Sequence, residues 1–217
     1  EAPTLSPTYA QYDDGASVFN NYWNFAGTTL PSGWVSSPST DVTVTVNNGV
    51  SVTQIVSAAS WGREGISLST TSTGNYIAEA YMTENSNPYG GGLAIQNAEA
   101  SALTSSTTYT SIWGLFTTGG ATIWQWAWQN PQGTMSNTNT GSFSAGTYYI
   151  ASLIITGSSA SAQVNYGSDV SFSSETGYTN TGYISFVTAT ETAGTNSQIS
   201  AYWIRVRAYP PNGVMPS

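Results

Sequence analysis

Neither cysteine nor histidine occurs in this chain of 217 residues, and lysine is missing too, so Arg63, Arg205 and Arg207 are its only side-chain cations. Without cysteine there is no disulfide and no thiolate metal ligand. Without histidine there is no Ser-His-Asp or Cys-His nucleophile and no imidazole proton shuttle. Carboxylates are the acid–base groups that remain. The net charge of -8 argues against nucleic acid as a partner, because binding a polyanion needs many phosphate-neutralising cations. Anionic membranes meet the same repulsion. No stretch approaches about 18 consecutive apolar residues, so no direct membrane insertion is expected.

Charged residues make up 6% of the chain, against about 25% in ordinary soluble domains. The surface must therefore be built from Ser, Thr, Asn, Gln and Gly. A surface that barely uses ion pairs suits an acidic, hot, extracellular setting, and its stability is expected to change little between neutral pH and about pH 3. None of the sixteen asparagines lies in an N-x-[ST] sequon, which fits a protein that passes a glycosylation machinery and keeps its surface bare. The start at Glu1 is what a mature form, or a piece of a longer protein, would show. The expected location is extracellular or at the cell surface.

Period-two alternation dominates, and no window carries a convincing i, i+3, i+4, i+7 apolar pattern, so helix should be marginal. From Asp41 to Val56, Val42, Val44 and Val46 alternate with threonines. Asn48-Gly49 supplies a positive-φ turn, and Val50 and Val52 return, which makes a hairpin. A second hairpin is expected from Tyr148 to Tyr166, turning at Gly157-Ser158-Ser159. Further strands are predicted over Tyr76 to Thr83, Gly92 to Asn97, Thr108 to Thr117, Ala121 to Gln129, Gly182 to Thr190 and Gln198 to Tyr209. Many short antiparallel strands imply an all-β, two-sheet antiparallel β-sandwich. Residues 1–12, with Pro3 and Pro7, read as an extended N-terminal strap or linker, and residues 13–217 as one lectin-like sandwich domain.

Several stretches carry a resemblance in consistent order along nearly the whole chain. They are Tyr12-Asp13-Asp14-Gly15, Asn24-Phe25-Ala26-Gly27-Thr28-Thr29-Leu30 with Trp34, Val46-Asn47-Asn48-Gly49-Val50, Tyr76-Ile77-Ala78-Glu79-Ala80, and the closing run Ala201-Tyr202-Trp203-Ile204-Arg205-Val206-Arg207-Ala208-Tyr209-Pro210-Pro211-Asn212-Gly213. The chain resembles the concanavalin A-like lectin/glucanase domains of large archaeal, and some bacterial, cell-surface proteins. That resemblance implies a jelly roll. Laminarinase-type hydrolases of the same sandwich carry an E-x-D-x-E or E-x-D-x-x-E run with a nucleophile and an acid, and this chain has no such run.

Trp124, Trp126 and Trp128 fall on one face of a strand, about 6.6 Å apart and about 13 Å end to end, a span that matches a short row of sugar rings. Flat indole faces suit the C–H face of a pyranose, and the competing reading is that the three fill the core. Trp203 and Arg205 share a face of the closing strand with Arg207 and Tyr209. They could stack on and hydrogen-bond a sugar, or the arginines could instead bridge to carboxylates. Trp61-Gly62-Arg63-Glu64-Gly65 reads as a loop shaped by a local ion pair. Among carboxylates, Glu79 is the first candidate for catalysis, with Glu64 as a second. Glycoside hydrolysis needs two carboxylates about 5 to 9.5 Å apart. No metal site is assigned and no cofactor is required, although Asp13-Asp14-Gly15 could offer oxygens to calcium.

Three functions are open. One is a binding or adhesion module that recognises polysaccharide or cell-envelope glycan. Another is a structural block of a surface layer or filament, self-associating through sheet edges that lack lysine gatekeepers. The third is a glycoside hydrolase with an unrecognised carboxylate pair.

Overall fold

The computed structural model describes residues 21–209, apart from 57–61, 87–89, 106, 109, 119–122, 130–134, 158, 172–180 and 191–192. The strap expected over residues 1–12, the possible calcium ligands Asp13 and Asp14, and Trp61 all lie outside the described residues.

The described chain forms fifteen strands: β1 (Tyr22–Trp23), β2 (Trp34–Ser36), β3 (Val42–Val46), β4 (Val50–Ile55), β5 (Glu64–Leu68), β6 (Tyr76–Ser86), β7 (Gly92–Gln96), β8 (Ile112–Thr118), β9 (Ile123–Gln129), β10 (Met135–Ser142), β11 (Tyr149–Thr156), β12 (Ser159–Val164), β13 (Val170–Ser171), β14 (Tyr183–Thr188) and β15 (Asn196–Ala208). A single 3-10 turn at Ala100–Ala102 is the one helical element among the described residues. Sheet A runs β13-β12-β11-β6-β15-β4-β3, with β1 also on β15, and sheet B runs β10-β9-β8-β7-β14-β5-β2. Every pairing is antiparallel, as expected of a jelly-roll sandwich.

Both expected hairpins are present. In the first, Val46 pairs with Val50, and the reversal is made by Asn48 at φ 50 and Gly49 at φ 146. In the second, Thr156 pairs with Ser159 across Gly157, which has φ 59. These positive φ values are the reason for the glycines and the asparagine.

The core lies between the sheets and is filled by alternate residues of each strand. Sheet A contributes Val50, Val52, Ala78, Ala80, Met82, Ile199, Ala201, Ile204 and Val206. Sheet B contributes Ile66, Leu68, Leu93, Ile95, Trp113, Leu115, Ile184 and Phe186. Phe25, Trp23 and Trp34 pack edge to face beside them, with ring centroids 5.4 Å apart.

Five strands lie outside the expected segments: the short β1, β2 and β13, and the longer β5 and β10. Strand β5 starts at Glu64 and Gly65, expected in a loop, and is buried along its whole length. Burial on both faces leaves no wet side and hence no period-two signal. The Ser- and Asn-rich run Met135–Ser142 forms the edge of sheet B by pairing with β9, so its polarity marks an edge rather than a loop.

Candidate functional site

The outer face of sheet A collects the aromatic and charged side chains that the core excludes. On β6, where Ala78, Ala80 and Met82 point inward, Ile77, Glu79 and Tyr81 point outward. The register with β15 sets Arg207 beside Ile77, Arg205 beside Glu79, and Trp203 beside Tyr81. Glu79 is fully buried. Its Oε2 accepts from Arg205 Nε at 2.7 Å and Arg207 Nε at 3.0 Å, and its Oε1 accepts from Arg207 Nη2 at 3.2 Å. Arg205 also donates from Nη2 to the Tyr166 hydroxyl at 3.1 Å. The Arg205 guanidinium lies 5.0 Å from the Trp203 ring. The arginine heads bridge to a carboxylate, one of the two readings open for them.

Beside this cluster runs a row of five rings. The β6–β15 register slips between Ala201 and Trp203, and such a bulge lets the consecutive residues Tyr202 and Trp203 lie on the same face. Trp203 stacks on Tyr81 at 6.0 Å, and Tyr22 lies 6.0 Å from Trp203 on the other side. Tyr81 contacts Tyr202 at 5.9 Å and Tyr148 at 5.1 Å, and Tyr148 and Tyr202 stack at 4.5 Å. Trp203 is the buried floor of the row, 3% exposed. Tyr22, Tyr81, Tyr148 and Tyr202 are half-buried. Burial, and then the neighbouring Tyr202, push the Tyr148 and Tyr81 hydroxyls above the ordinary tyrosine range, so both stay neutral hydrogen-bonding groups.

The five residues singled out for glycan binding do not assemble into one site. Trp203 and Arg205 meet on the outer face of sheet A. Trp124 lies on sheet B, 1% exposed, packed edge-on against Phe143 at 6.0 Å and Tyr149 at 5.8 Å within the core. It has no open face on which a sugar could stack. Trp126 and Trp128 pair in register with Leu115 and Trp113, and their side chains lie outside what is described.

The two candidate catalytic carboxylates lie on different faces. Glu79 is on the outside of sheet A. Glu64 opens β5 and faces the interior, where Gln54 Nε2 donates to its Oε2 at 2.8 Å. Burial raises the Glu64 carboxyl above its usual range; Gln54 and Ser39 oppose this and the charge of Asp41 adds to it. Glu84, on the inner face of sheet A, is pushed up by burial to about 7 against a hydrogen bond from Thr117. Arg63, read together with Glu64 as a loop pair, turns the other way. Its guanidinium lies 4.4 Å over the Phe116 ring, and burial lowers its pKa to about 10. The outer face of sheet B is apolar at its centre, with Ala94, Ile112, Phe116, Ala127 and Val187 packed together. Among the described residues no group of three acidic side chains could hold a metal ion.

Sequence reasoning missed two sets of residues. The tyrosine row draws on three strands and on Tyr148 just before β11 and has no signature in any one of them; its only local trace is the adjacent pair Tyr202-Trp203. Gln54 and Glu84 were missed although each stands at an inward position in an alternating strand, after Val50 and Val52 and after Ala78, Ala80 and Met82. That break in parity is a readable signal. It also bears on the expected insensitivity to pH, since three of the few glutamates, Glu64, Glu79 and Glu84, are buried and burial raises the carboxyls of Glu64 and Glu84.

The chain matches no protein-family model, and no curated protein matches its sequence. Its fold is shared with solved glucanase-type structures. A β-glucanase of Bacillus licheniformis superposes with TM-score 0.60 at 14% identity, covering 85% of this chain and 96% of that one. An immunostimulatory antigen and pseudo β-1,3-glucanase of Mycobacterium tuberculosis gives TM-score 0.57 at 13% identity over 86% and 97%. A β-1,3-glucanase of Mycobacterium marinum gives 0.54 at 12% over 87% and 98%. The class that fold defines is the concanavalin A-like, glucanase-type jelly-roll sandwich. Identities this low carry the fold and nothing of the activity.

Proposed function

We propose that this chain is an extracellular, non-catalytic glycan-recognition module whose binding face is the outer surface of sheet A. The observation that carries this reading is the contiguous row Tyr22, Trp203, Tyr81, Tyr202 and Tyr148 beside the guanidinium of Arg205. Half-buried rings in contact give an apolar platform of the kind that pyranose C–H faces stack on, and tyrosine hydroxyls with an arginine head offer neutral and charged donors at its rim. The carboxylates support a binding role over hydrolysis. Glu79 has both oxygens engaged by guanidiniums, Glu64 and Glu84 are inside the sandwich, and no described strand carries two carboxylates on one face. Glucanase-type relatives in fold make polysaccharide a natural ligand class. The sparsely charged, Ser- and Thr-rich chain without sequons is what favours a location at or outside the cell surface.

The test is pull-down on insoluble polysaccharides and titration calorimetry with soluble β-glucans and cell-envelope glycans, for the unaltered protein and for Tyr202→Ala and Tyr148→Ala. Binding that is lost in both variants with folding intact is the expected result. Release of reducing sugar that disappears in Glu79→Gln would overturn the reading in favour of a hydrolase.

One feature favours a second role in assembly. Strand β3 is an edge of sheet A, and its sequence Val-Thr-Val-Thr-Val has no charge, no proline and no break in its register with β4. Those are the devices that ordinarily block pairing between edges. Sedimentation at high concentration, with Thr43→Lys as the control, reads it directly: a monomer at all concentrations removes this role.

A further inference from the structure

At one end of the interior the apolar alternation of both sheets gives way to polar side chains. On sheet A the inward positions continue from Val50 and Val52 to Gln54 and from Ala78, Ala80 and Met82 to Glu84, and Ser197 precedes Ile199. On sheet B, Glu64 precedes Ile66, Thr117 follows Leu115, and Thr188 follows Phe186. All six polar residues are buried, Glu64 completely and Glu84 to 3% exposure. They join the sheets to each other. Gln54 of sheet A donates to Glu64 of sheet B at 2.8 Å, the hydroxyls of Thr188 and Ser197 bond across the gap, and Glu84 of sheet A is hydrogen-bonded to Thr117 of sheet B.

Glu84 is short of donors. The one hydroxyl proton of Thr117 is shared between Glu84 and the Gly91 carbonyl at 3.1 Å, and its bond to Glu84 only partly opposes the rise that burial imposes on the carboxyl. Glu84 Oε2 is buried with no partner among the described residues, which a carboxyl tolerates far better than a carboxylate does.

We propose that Glu84, together with Glu64, is a proton-operated latch between the two sheets: protonated, it closes this end of the sandwich, and deprotonated, it lets the end open. Among the described residues, Glu84 is met by Thr117 from β8, Gly91 before β7, Ile199 from β15 and Gly146 before β11, none of which titrates, while the Arg63 guanidinium stands one residue from Gly91, its Nε donating to the Gly90 carbonyl at 3.3 Å. The titratable group on β11 is Tyr149, paired with Met82 two residues away. Around Glu64 are Gln54 from β4, Thr188 from β14, Ser39, and the carboxyl of Asp41, whose charge also favours a neutral Glu64. Arg63, next to Glu64 in sequence, lies on the other face of β5 over Phe116.

The sign follows from linkage. Unfolded, Glu84 releases its proton near the ordinary glutamate value of 4.5, and folded near about 7. The latch is at full strength below the unfolded value and is lost as pH rises through the folded one. The experiment measures thermal unfolding from pH 4 to pH 8 for the protein, Glu84→Gln and the double variant Glu64→Gln/Glu84→Gln, with amide exchange on the unaltered protein at pH 5 and pH 8 corrected for intrinsic rates. Expected is a fall in Tm of roughly 10 °C between pH 4 and pH 8, flattened stepwise by the two variants. On raising the pH, protection should drop at residues 83–85, 91–92, 117 and 188 while Ala151 to Leu153 keep theirs. A Tm that does not fall from pH 4 to pH 8, or a fall that Glu84→Gln leaves intact, would overturn the latch. Protection lost evenly along the chain would also overturn it, and that reading needs no variant to fold.

Discussion

Replacing Trp124 and Tyr202 by alanine, one at a time, separates the two aromatic surfaces of this protein. Trp124 is 1% exposed and edge-packed against Phe143 and Tyr149. Removing a buried indole costs about 3 to 5 kcal/mol, from lost transfer energy and the cavity left behind. In a chain of this length each kcal/mol shifts the melting temperature by about 2 to 4 °C, so Trp124→Ala should lower Tm by roughly 6 to 20 °C. Tyr202 is half-buried on the outer face, and its loss removes stacking on Tyr148 and Tyr81. That is about 1 kcal/mol of ring interaction beyond burial, for a Tm change of a few degrees. Glycan affinity should behave in the opposite way, vanishing in Tyr202→Ala and surviving in Trp124→Ala below its own melting point. Differential scanning fluorimetry and calorimetry on the same samples read both quantities. A Trp124→Ala protein that keeps its Tm and loses its ligand would refute the placement of the site.

Glu79→Gln leaves two guanidiniums facing each other without a carboxylate, and should cost about 3 kcal/mol in urea unfolding. A double-mutant cycle with Arg207→Met should return a coupling energy of the same order, and a coupling near zero would show the pair to be ornamental. Gly92→Ala places a Cβ 2.0 Å from the Leu115 carbonyl oxygen; because the obstacle is backbone, the β7–β8 pairing must shift, and loss of cooperative unfolding by near-ultraviolet circular dichroism is expected. Glycan affinity should change less than about twofold between 50 mM and 500 mM salt, since the contact rests on stacking and neutral hydrogen bonds rather than on opposed charge. A steep salt dependence measured by calorimetry would instead assign the affinity to Arg205 and Arg207.

Strands were legible in the sequence through alternation or through composition. Val42, Val44 and Val46 against Thr43 and Thr45, closed by Asn48-Gly49, determine a hairpin by alternation and turn chemistry alone, while the segments Gly92 to Asn97 and Gly182 to Thr190, buried on both faces, came close to their final bounds through apolar and β-branched residues set between turn residues. The composition alone already excluded thiol, imidazole and polyanion chemistry. Alternation could not show β5, which is buried on both sides, or β10, whose polar run has no apolar period and is a strand through its pairing with β9. The site was less legible, because it belongs to no single strand. Register across β1, β15 and β6 places Tyr22, Trp203 and Tyr81 in one row, the turn into β11 brings Tyr148 to it, and a one-residue bulge adds Tyr202. The tryptophan row of β9 shows the limit from the other side. Its period-two spacing guarantees a shared face, but whether that face meets the core or the solvent is decided by which sheet packs on it, and for Trp124 that is settled by Phe143 and Tyr149. In the same way, the parity of Glu84 placed it inward along β6. Only the closing of the opposite sheet over it buries that carboxyl, leaves its Oε2 without a partner among the described residues and raises it to about 7, because solvation and hydrogen-bond supply in a closed interior are set by neighbours that the sequence keeps far apart.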